Sequence, residues 1–283
     1  MALIINTNVP ALGAAKDLTN ATNTLNNTLK RMSSGYKINS AKDDAAGAYI
    51  ATNMETQIRG SKVAQGNVAT GANVLQIAEG NLNVIESNLQ RIRDLAVQAA
   101  NDVYSVESRN AMEAEATERA SEITRIAAAA EFNGLKLFST AGPLGANGLR
   151  LQVAANSPTF ENSVTISANV FASASAADLG VVIGTVFQAA TSAATFIATM
   201  DAALKNINNR KSTIGAFQNK LESASTNLII NVENTTAARS TIMDADIADE
   251  SITYTKAQIL QQTTASMLAQ ANSMPQLALK LIG

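Results

Sequence analysis

The chain has 283 residues, 46% of them apolar, and 21 basic against 23 acidic side chains give a formal net charge of −2. That length allows one large or two ordinary domains with a real core, while Lys and Arg scattered singly offer no basic stripe for nucleic-acid phosphates or an anionic membrane surface. Zero Cys and zero His exclude disulfides, thiolate catalysis and Cys-ligated metals and remove the commonest general base.

The apolar share is mostly Ala, Leu, Ile and Val, with 4% aromatics and no Trp, which favours helix seams over a thick aromatic core. The first ten residues carry no basic segment followed by an apolar stretch of signal-peptide length, so export through a cleaved leader is not expected. The longest near-apolar run, Leu179 to Phe187, is interrupted by glycine and is about half a membrane span.

Asn8 ahead of Pro10 opens a first helix. In it Ala11, Ala15, Leu18, Thr22, Leu25, Leu29 and Met32 recur at alternating steps of four and three, the spacing of a coiled-coil seam. Alanine and threonine thin that seam, and the many Asn and Thr around it are weak helix formers; the helix is expected to be unstable alone. Ser33-Ser34-Gly35 ends it, and Ser40 with Asp43 reads as the N-cap of a second helix, leaving 33–43 as a linker.

The second helix, expected over about 44–100, carries the strongest pattern in the chain. Leu75, Ala78, Leu82, Ile85, Leu89, Ile92, Ala96 and Ala99 keep an unbroken three-four spacing, two columns facing a partner. At about 1.5 Å per residue such a helix is on the order of 85 Å long, too long to bury its seam against itself. Gly60, Gly66, Gly71 and Gly80 inside it read as points of close packing. Arg91 and Arg93 lie off the seam, where a solvated face is the default.

Asn101-Asp102 breaks the helix, and a third runs from about 106 to 130 and stops before the turn Asn133-Gly134. Across about 134–186 the period falls to two, in Leu149, Leu151 and Val153 and then Val164, Ile166, Ala168 and Val170. Gly142-Pro143 and Asn147-Gly148 supply turns in this β-hairpin region. A further helix over about 188–232 places Met200, Ile207, Ile214, Leu221 and Leu228 on a seven-residue repeat, the partner for the 75–99 seam. Each large apolar residue buried there contributes roughly 1.5–3 kcal/mol. The last segment repeats the thin pattern in Ala257, Leu260, Thr264, Met267, Ala271 and Met274.

The fold class is therefore mainly α: a long antiparallel coiled-coil-like helical bundle with a small β-hairpin region. Residues 44–239 form a rod domain, and 1–43 with 240–283 form a terminal domain whose incomplete stripes want partners. Asp43-Asp44 and the group Asp244, Asp246, Asp249 and Glu250 read as helix-dipole partners, not metal or acid–base sites. No phosphate loop, nucleophile elbow or EF-hand spacing occurs, and without His or Cys a positioned base is hard to assemble. No enzyme activity, metal or cofactor is expected.

Several blocks at both ends carry a resemblance: Arg-Met-Ser-Ser-Gly (31–35), Ile-Asn-Ser-Ala-Lys-Asp-Asp-Ala-Ala-Gly (38–47), Leu-Gln-Arg-Ile-Arg-Asp-Leu-Ala-Val-Gln (89–98), Phe-Asn-Gly (132–134), Asp244-Ala-Asp246, Ala-Gln-Ile-Leu-Gln-Gln (257–262) and Leu-Ala-Gln-Ala-Asn (268–272). In this order they resemble bacterial flagellin of a short form without large outer domains. The resemblance implies a structural subunit that polymerises into the flagellar filament for motility, exported by the flagellar type III apparatus to an extracellular filament. Its terminal helices would pair coaxially in the inner tube, staying disordered in the monomer.

Partners so implied are other copies of the chain, hook-associated and cap proteins, an export chaperone at the C-terminal helix and the host flagellin-sensing Toll-like receptor, with no nucleic acid and no membrane. The receptor set carried over is Arg91, Leu95 and Glu115. The polymerisation seam is expected at Leu18, Leu25, Leu29, Met32, Leu260, Met267 and Met274, and the rod seam at Leu75, Leu82, Ile85, Leu89, Ile92, Ile207, Ile214, Leu221 and Leu228. Two departures from the family pattern stand out: Asn67-Val-Ala-Thr-Gly71 lacks the usual acidic and amide pair, and Lys37 stands where Arg is usual. Alternatives are the hook–filament junction protein of the same family and a secreted binding module.

Overall fold

A computed structural model describes residues 7–139, 142–156 and 162–282. The elements are helices α1 (Val9–Ser34), α2 (Ala45–Ala99) and α3 (Val106–Ala129), strands β1 (Glu131–Phe132) and β2 (Leu135–Lys136), helix α4 (Pro143–Asn147), strands β3 (Leu149–Gln152) and β4 (Ser163–Ile166), a 3-10 turn at Ala168–Phe171, and helices α5 (Ala190–Met243) and α6 (Ile247–Ile282). The fold is mainly α with small antiparallel strand pairs.

Local chemistry sets the helix ends. Asn8 Oδ1 accepts from the Ala11 N–H at 3.1 Å and opens α1. Gly35, at φ +74°, closes it by returning its N–H to the Arg31 carbonyl, a left-handed stop that glycine adopts without steric cost. The cap of α2 is Asp44, not the expected Ser40: Asp44 Oδ1 accepts from the Gly47 N–H at 2.9 Å. Asp43 folds back on the linker instead, taking the N–H groups of Asn39 and Ser40 and the Ser40 hydroxyl. Those donors hold its carboxyl below the usual range.

The chain falls into two compact units, Met1–Thr56 with Asn234–Gly283, and Gln57–Glu233. The borders expected at 43/44 and 239/240 sit inside the first unit, because α2 and α5 are each unbroken across the division and α5 continues to Met243.

In the second unit, one core takes Leu75, Leu82, Ile85, Leu89 and Ile92 from α2, Ile123 from α3 and Met200, Ile207 and Ile214 from α5, all fully buried. Phe171 and Phe187 close it from the connecting segments, Phe187 edge-on to Phe196 at 5.8 Å between ring centroids. Asn133 and Gly134, at φ 49° and 77°, make the two-residue turn of the β1–β2 hairpin, where both positions need left-handed backbone.

β3 and β4 pair antiparallel with Leu149 opposite Ile166 and Leu151 opposite Val164. The alternation expected to continue through Ala168 and Val170 ends at Ile166. The chain coils there into the 3-10 turn and buries Val170 and Phe171 side by side, which a flat strand would place on opposite faces. Pro143 starts a short helix instead of a strand turn, as its fixed φ and missing N–H suit a first helical turn.

No helix among the described residues is long and apolar enough to cross a membrane. Among the described residues no group of three carboxylates is placed to hold a metal.

Candidate assembly and recognition surfaces

In the first unit, α1 and α6 pack antiparallel, with Arg31 Nη1 3.2 Å from Glu250 Oε1 near one end and Asn8 Nδ2 donating to the Ala271 carbonyl at 2.8 Å near the other. Between them Gln261 Nε2 donates to Thr22 Oγ1 at 3.3 Å. Small residues meet at the contact: Ala14, Ala21 and Thr28 of α1 and Ala257 of α6 are buried, with Thr264 and Ala271 half-buried. Such a seam brings two backbones close but removes little apolar area from water.

The seam actually buried keeps Leu18, Leu25 and Met32 half-buried on its edge and takes its second column one residue earlier than expected, at Ala14, Ala21 and Thr28. Leu29, Leu260, Met267 and Met274 are 44%, 45%, 59% and 49% exposed and lie outside the buried contact. At 100° per residue Ile252, Ile259, Leu260, Met267 and Met274 share one outer stripe of α6. Ile252 and Ile259 belong to this surface although the sequence reading did not name them; the i, i+7 recurrence from 252 to 259 was the available signal. Ile252, Ile259 and Leu260 line an apolar hollow of about 540 Å³, and a second groove of about 530 Å³ runs between α1 and α6 past Ala21, Lys256 and Leu260.

The linker and the α5–α6 turn are tied together within this unit. Lys37 N–H donates to the Met243 carbonyl at 2.6 Å and Ala245 N–H to Gly35 at 2.9 Å. The Arg239 guanidinium sits 5.8 Å over the Tyr36 ring and 3.2 Å from Glu55.

In the second unit, Leu221 and Leu228 are buried with the other members of the rod seam. Polar pairs flank it: Gln218 to Glu79 at 2.9 Å, Lys211 to Glu86 at 2.6 Å and Arg93 to Asp201 at 2.7 Å. On the neighbouring face Arg91 donates from Nε and Nη2 to the two carboxylate oxygens of Glu115 at 2.9 and 3.2 Å. Arg119 adds a third donor to Glu115 at 3.1 Å. Hydrogen bonds from Arg91 and then Arg119 hold the Glu115 carboxyl below its usual range, and Glu115 raises Arg91 in turn.

Arg91 and Glu115 keep 42% and 37% of their side-chain surface, so both are reachable from outside. Leu95, at 2% exposure, is part of the core. That burial leaves the Leu95 side chain almost no surface for direct contact with a partner, unlike Arg91 and Glu115.

The pattern of the bacterial flagellin N-terminal helical region matches residues 5–142, and that of the bacterial flagellin C-terminal helical region matches residues 197–282. A flagellin of Treponema pallidum is 37% identical to this chain over 99% of it and 100% of its own length. A flagellar filament core protein of Brachyspira hyodysenteriae is 36% identical over 99% of this chain and 100% of its own. A solved structure from Vibrio parahaemolyticus, assigned as a flagellar hook-associated protein, shares the fold with a TM-score of 0.58 at 16% identity, covering 71% of this chain and all of that one.

Proposed function

The chain belongs to the bacterial flagellin family, and from that premise we propose that it polymerises as the structural subunit of a flagellar filament outside the cell, reaching it through the flagellar type III apparatus. The observation that carries the reading is the outer stripe of α6. Ile252, Ile259, Leu260, Met267 and Met274 hold large apolar surface in water on a helix whose inner face is already engaged with α1, and a contiguous apolar stripe of that kind marks an interaction site. Copies of the chain stacking on this stripe would bury it repeatedly along a helical polymer.

Seeded growth tests the proposal. Purified chain added to short filament fragments should lengthen them by electron microscopy and raise scattered light. A chain that stays monomeric at high concentration with seeds present overturns it.

The same surface supports an export chaperone masking the C-terminal helix before assembly, with hook-associated and cap proteins as end partners in the filament. The rival role at the hook–filament junction draws on likeness of fold alone, whereas full-length relatives named as flagellin or filament core protein support the repeating subunit.

Recognition by the host flagellin-sensing Toll-like receptor is proposed through Arg91 and Glu115, with Leu95 holding α2 in place below them. Arg91→Ala should weaken binding to the receptor ectodomain about tenfold or more if Arg91 is an anchor. Unchanged affinity removes that role.

A further inference from the structure

The apolar seam between α2 and α5 does not by itself define how the two helices align. The cross-helix pairs Glu79 with Gln218 and Glu86 with Lys211 fix an antiparallel register. At that register Val68, Leu75, Leu82, Leu89 and Ala96 lie level with Leu228, Leu221, Ile214, Ile207 and Met200. Both columns repeat every seven residues and all ten side chains are buried. Sliding α5 by seven residues, about 10 Å, would again set Leu or Ile opposite Leu or Ile along most of the seam. Packing that is periodic in both partners is the situation in which strand or helix register is poorly specified by hydrophobicity.

We propose that four charges, Glu86 and Arg93 on α2 with Asp201 and Lys211 on α5, select the register by pairing with opposite sign in it and by making the one-heptad slip toward the C-terminal end of α2 repulsive. In the observed alignment both pairs are of opposite sign, Lys211 2.6 Å from Glu86 and Asp201 2.7 Å from Arg93. If α5 slides one heptad toward the C-terminal end of α2, Lys211 leaves Glu86 and comes level with Arg93, two cations. If it slides one heptad the other way, Asp201 leaves Arg93 and comes level with Glu86, two anions, while Lys211 comes level with Glu79 and keeps an acidic partner. The charge order on the flanks therefore breaks the period of the core toward the C-terminal end of α2 and blocks that direction, whereas in the other direction one repulsion is set against one attraction. Flanking charges choose partners and alignment in coiled coils in this way. The Lys211 and Glu86 side chains keep only 26% and 17% of their surface, so their pairing is less screened than that of Arg93 and Asp201 at 38% and 54%.

The consequence for a polymer subunit is specific. A slipped chain would keep a helical core but carry the outer residues of α5 about 10 Å along α2, presenting a displaced surface to its neighbours.

Single charge reversals make the two slips attractive in opposite directions. With Lys211→Glu, residue 211 repels Glu86 in the observed register and attracts Arg93 after the first slip. With Asp201→Lys, residue 201 repels Arg93 and attracts Glu86 after the second. The chain has no native Cys, so Val97→Cys and Ser223→Cys, both exposed, take spin labels cleanly about 35 Å apart along the axis at about 1.5 Å per residue.

Pulsed electron paramagnetic resonance on the full chain should give one distance in the parent. Lys211→Glu should add a population about 10 Å shorter, and Asp201→Lys one about 10 Å longer. Lys211→Ala, which creates no attraction in either slip, should keep the parent distance. A single parent distance in both reversed variants, with helical circular dichroism retained, overturns the proposal. So does a shift of the same sign in both. If Lys211→Glu does not fold, the more exposed Asp201 site decides alone: a lengthened population supports the proposal and an unshifted one overturns it.

Discussion

The Arg91 guanidinium holds both carboxylate oxygens of Glu115, at 2.9 and 3.2 Å, bridging α2 to α3 on the surface of the rod. Two parallel N–H donors on one carboxylate are the geometry in which Arg outperforms Lys. The two polar residues expected to meet a receptor thus pair with each other in the free chain, and a partner carboxylate that takes the same Nε–Nη2 edge of Arg91 must displace Glu115 to do so.

This pairing has a pH signature. The folded-state Glu115 carboxyl titrates below its ordinary value of 4.5 because Arg91 and Arg119 donate to its charged form. A depressed carboxyl contributes stability that is present above the unfolded-state value and lost as pH falls through the folded one. The denaturant midpoint of Glu115→Gln should therefore fall less between pH 7 and pH 3 than that of the parent, measured on otherwise identical chains. Asp43, Glu122, Glu131 and Asp178 are also depressed, so the acid-side fall should become shallower without vanishing. An identical fall in both chains counts against the bridge.

The glycines divide into two kinds that substitution separates. Gly148 sits at φ +74°, and a Cβ there would run into the Ile166 carbonyl oxygen, a backbone atom that cannot step aside. Gly148→Ala should cost about 2 kcal/mol or more, from left-handed strain plus that clash. Gly80 lies exposed inside α2 with nothing within 4 Å of where a Cβ would go. Gly80→Ala should stabilise by about 0.5–1 kcal/mol through helix propensity. Thermal unfolding of the two variants should move in opposite directions; a lower midpoint for Gly80→Ala would refute the open-space reading.

How legible each part was depended on how much the side chains differ along it. The α2 seam was readable to within a residue at each end, expected at 44–100 and observed at 45–99, because Leu and Ile alternate with Asn, Gln and Glu and leave one possible face. In α1 alanine and threonine stand at both candidate second columns, Ala14 and Ala15, Ala21 and Thr22. Periodicity then could not choose, and packing chose the earlier one. The same ambiguity hid the outer stripe of α6, where Leu260 and Met267 looked like seam residues until Gln261 and Leu268 took the inner face. The cap at Asp44 was missed because Asp43 and Asp44 are equally good acceptors and only the chain path decides between them. The Arg91–Glu115 bridge joins residues on separate helices, a contact no periodicity in one chain segment can announce.

Core and outer stripe should respond oppositely to truncation. Leu82 is completely buried, and Leu82→Ala should destabilise the monomer by about 2–5 kcal/mol through lost transfer energy and a cavity. Met267 is 59% exposed, and Met267→Ala should change monomer stability by no more than about 0.5 kcal/mol while sharply reducing seeded elongation. Chemical denaturation and elongation rate on the same two proteins check the pair. Normal growth of Met267→Ala would remove the α6 stripe from the assembly contact.

The two units should also differ in how readily they open. The α1–α6 contact rests on Ala14, Ala21, Thr28 and Ala257, whereas α2, α3 and α5 share a core of fully buried Leu, Ile, Phe and Met. Local opening free energy follows buried apolar area and can fall well below the global value where that area is small. In the unassembled chain, amides of α1 and of α6 up to Met274 should exchange with solvent at least about a hundredfold faster than those of α2 between Leu75 and Ala96, a difference of roughly 2.7 kcal/mol in opening. The same amides should become protected when filaments form, since neighbouring copies then cover the outer stripe. Equal protection of the two units in the monomer would mean that the small-residue contact is self-sufficient, and the proposed coupling of terminal folding to assembly would fail.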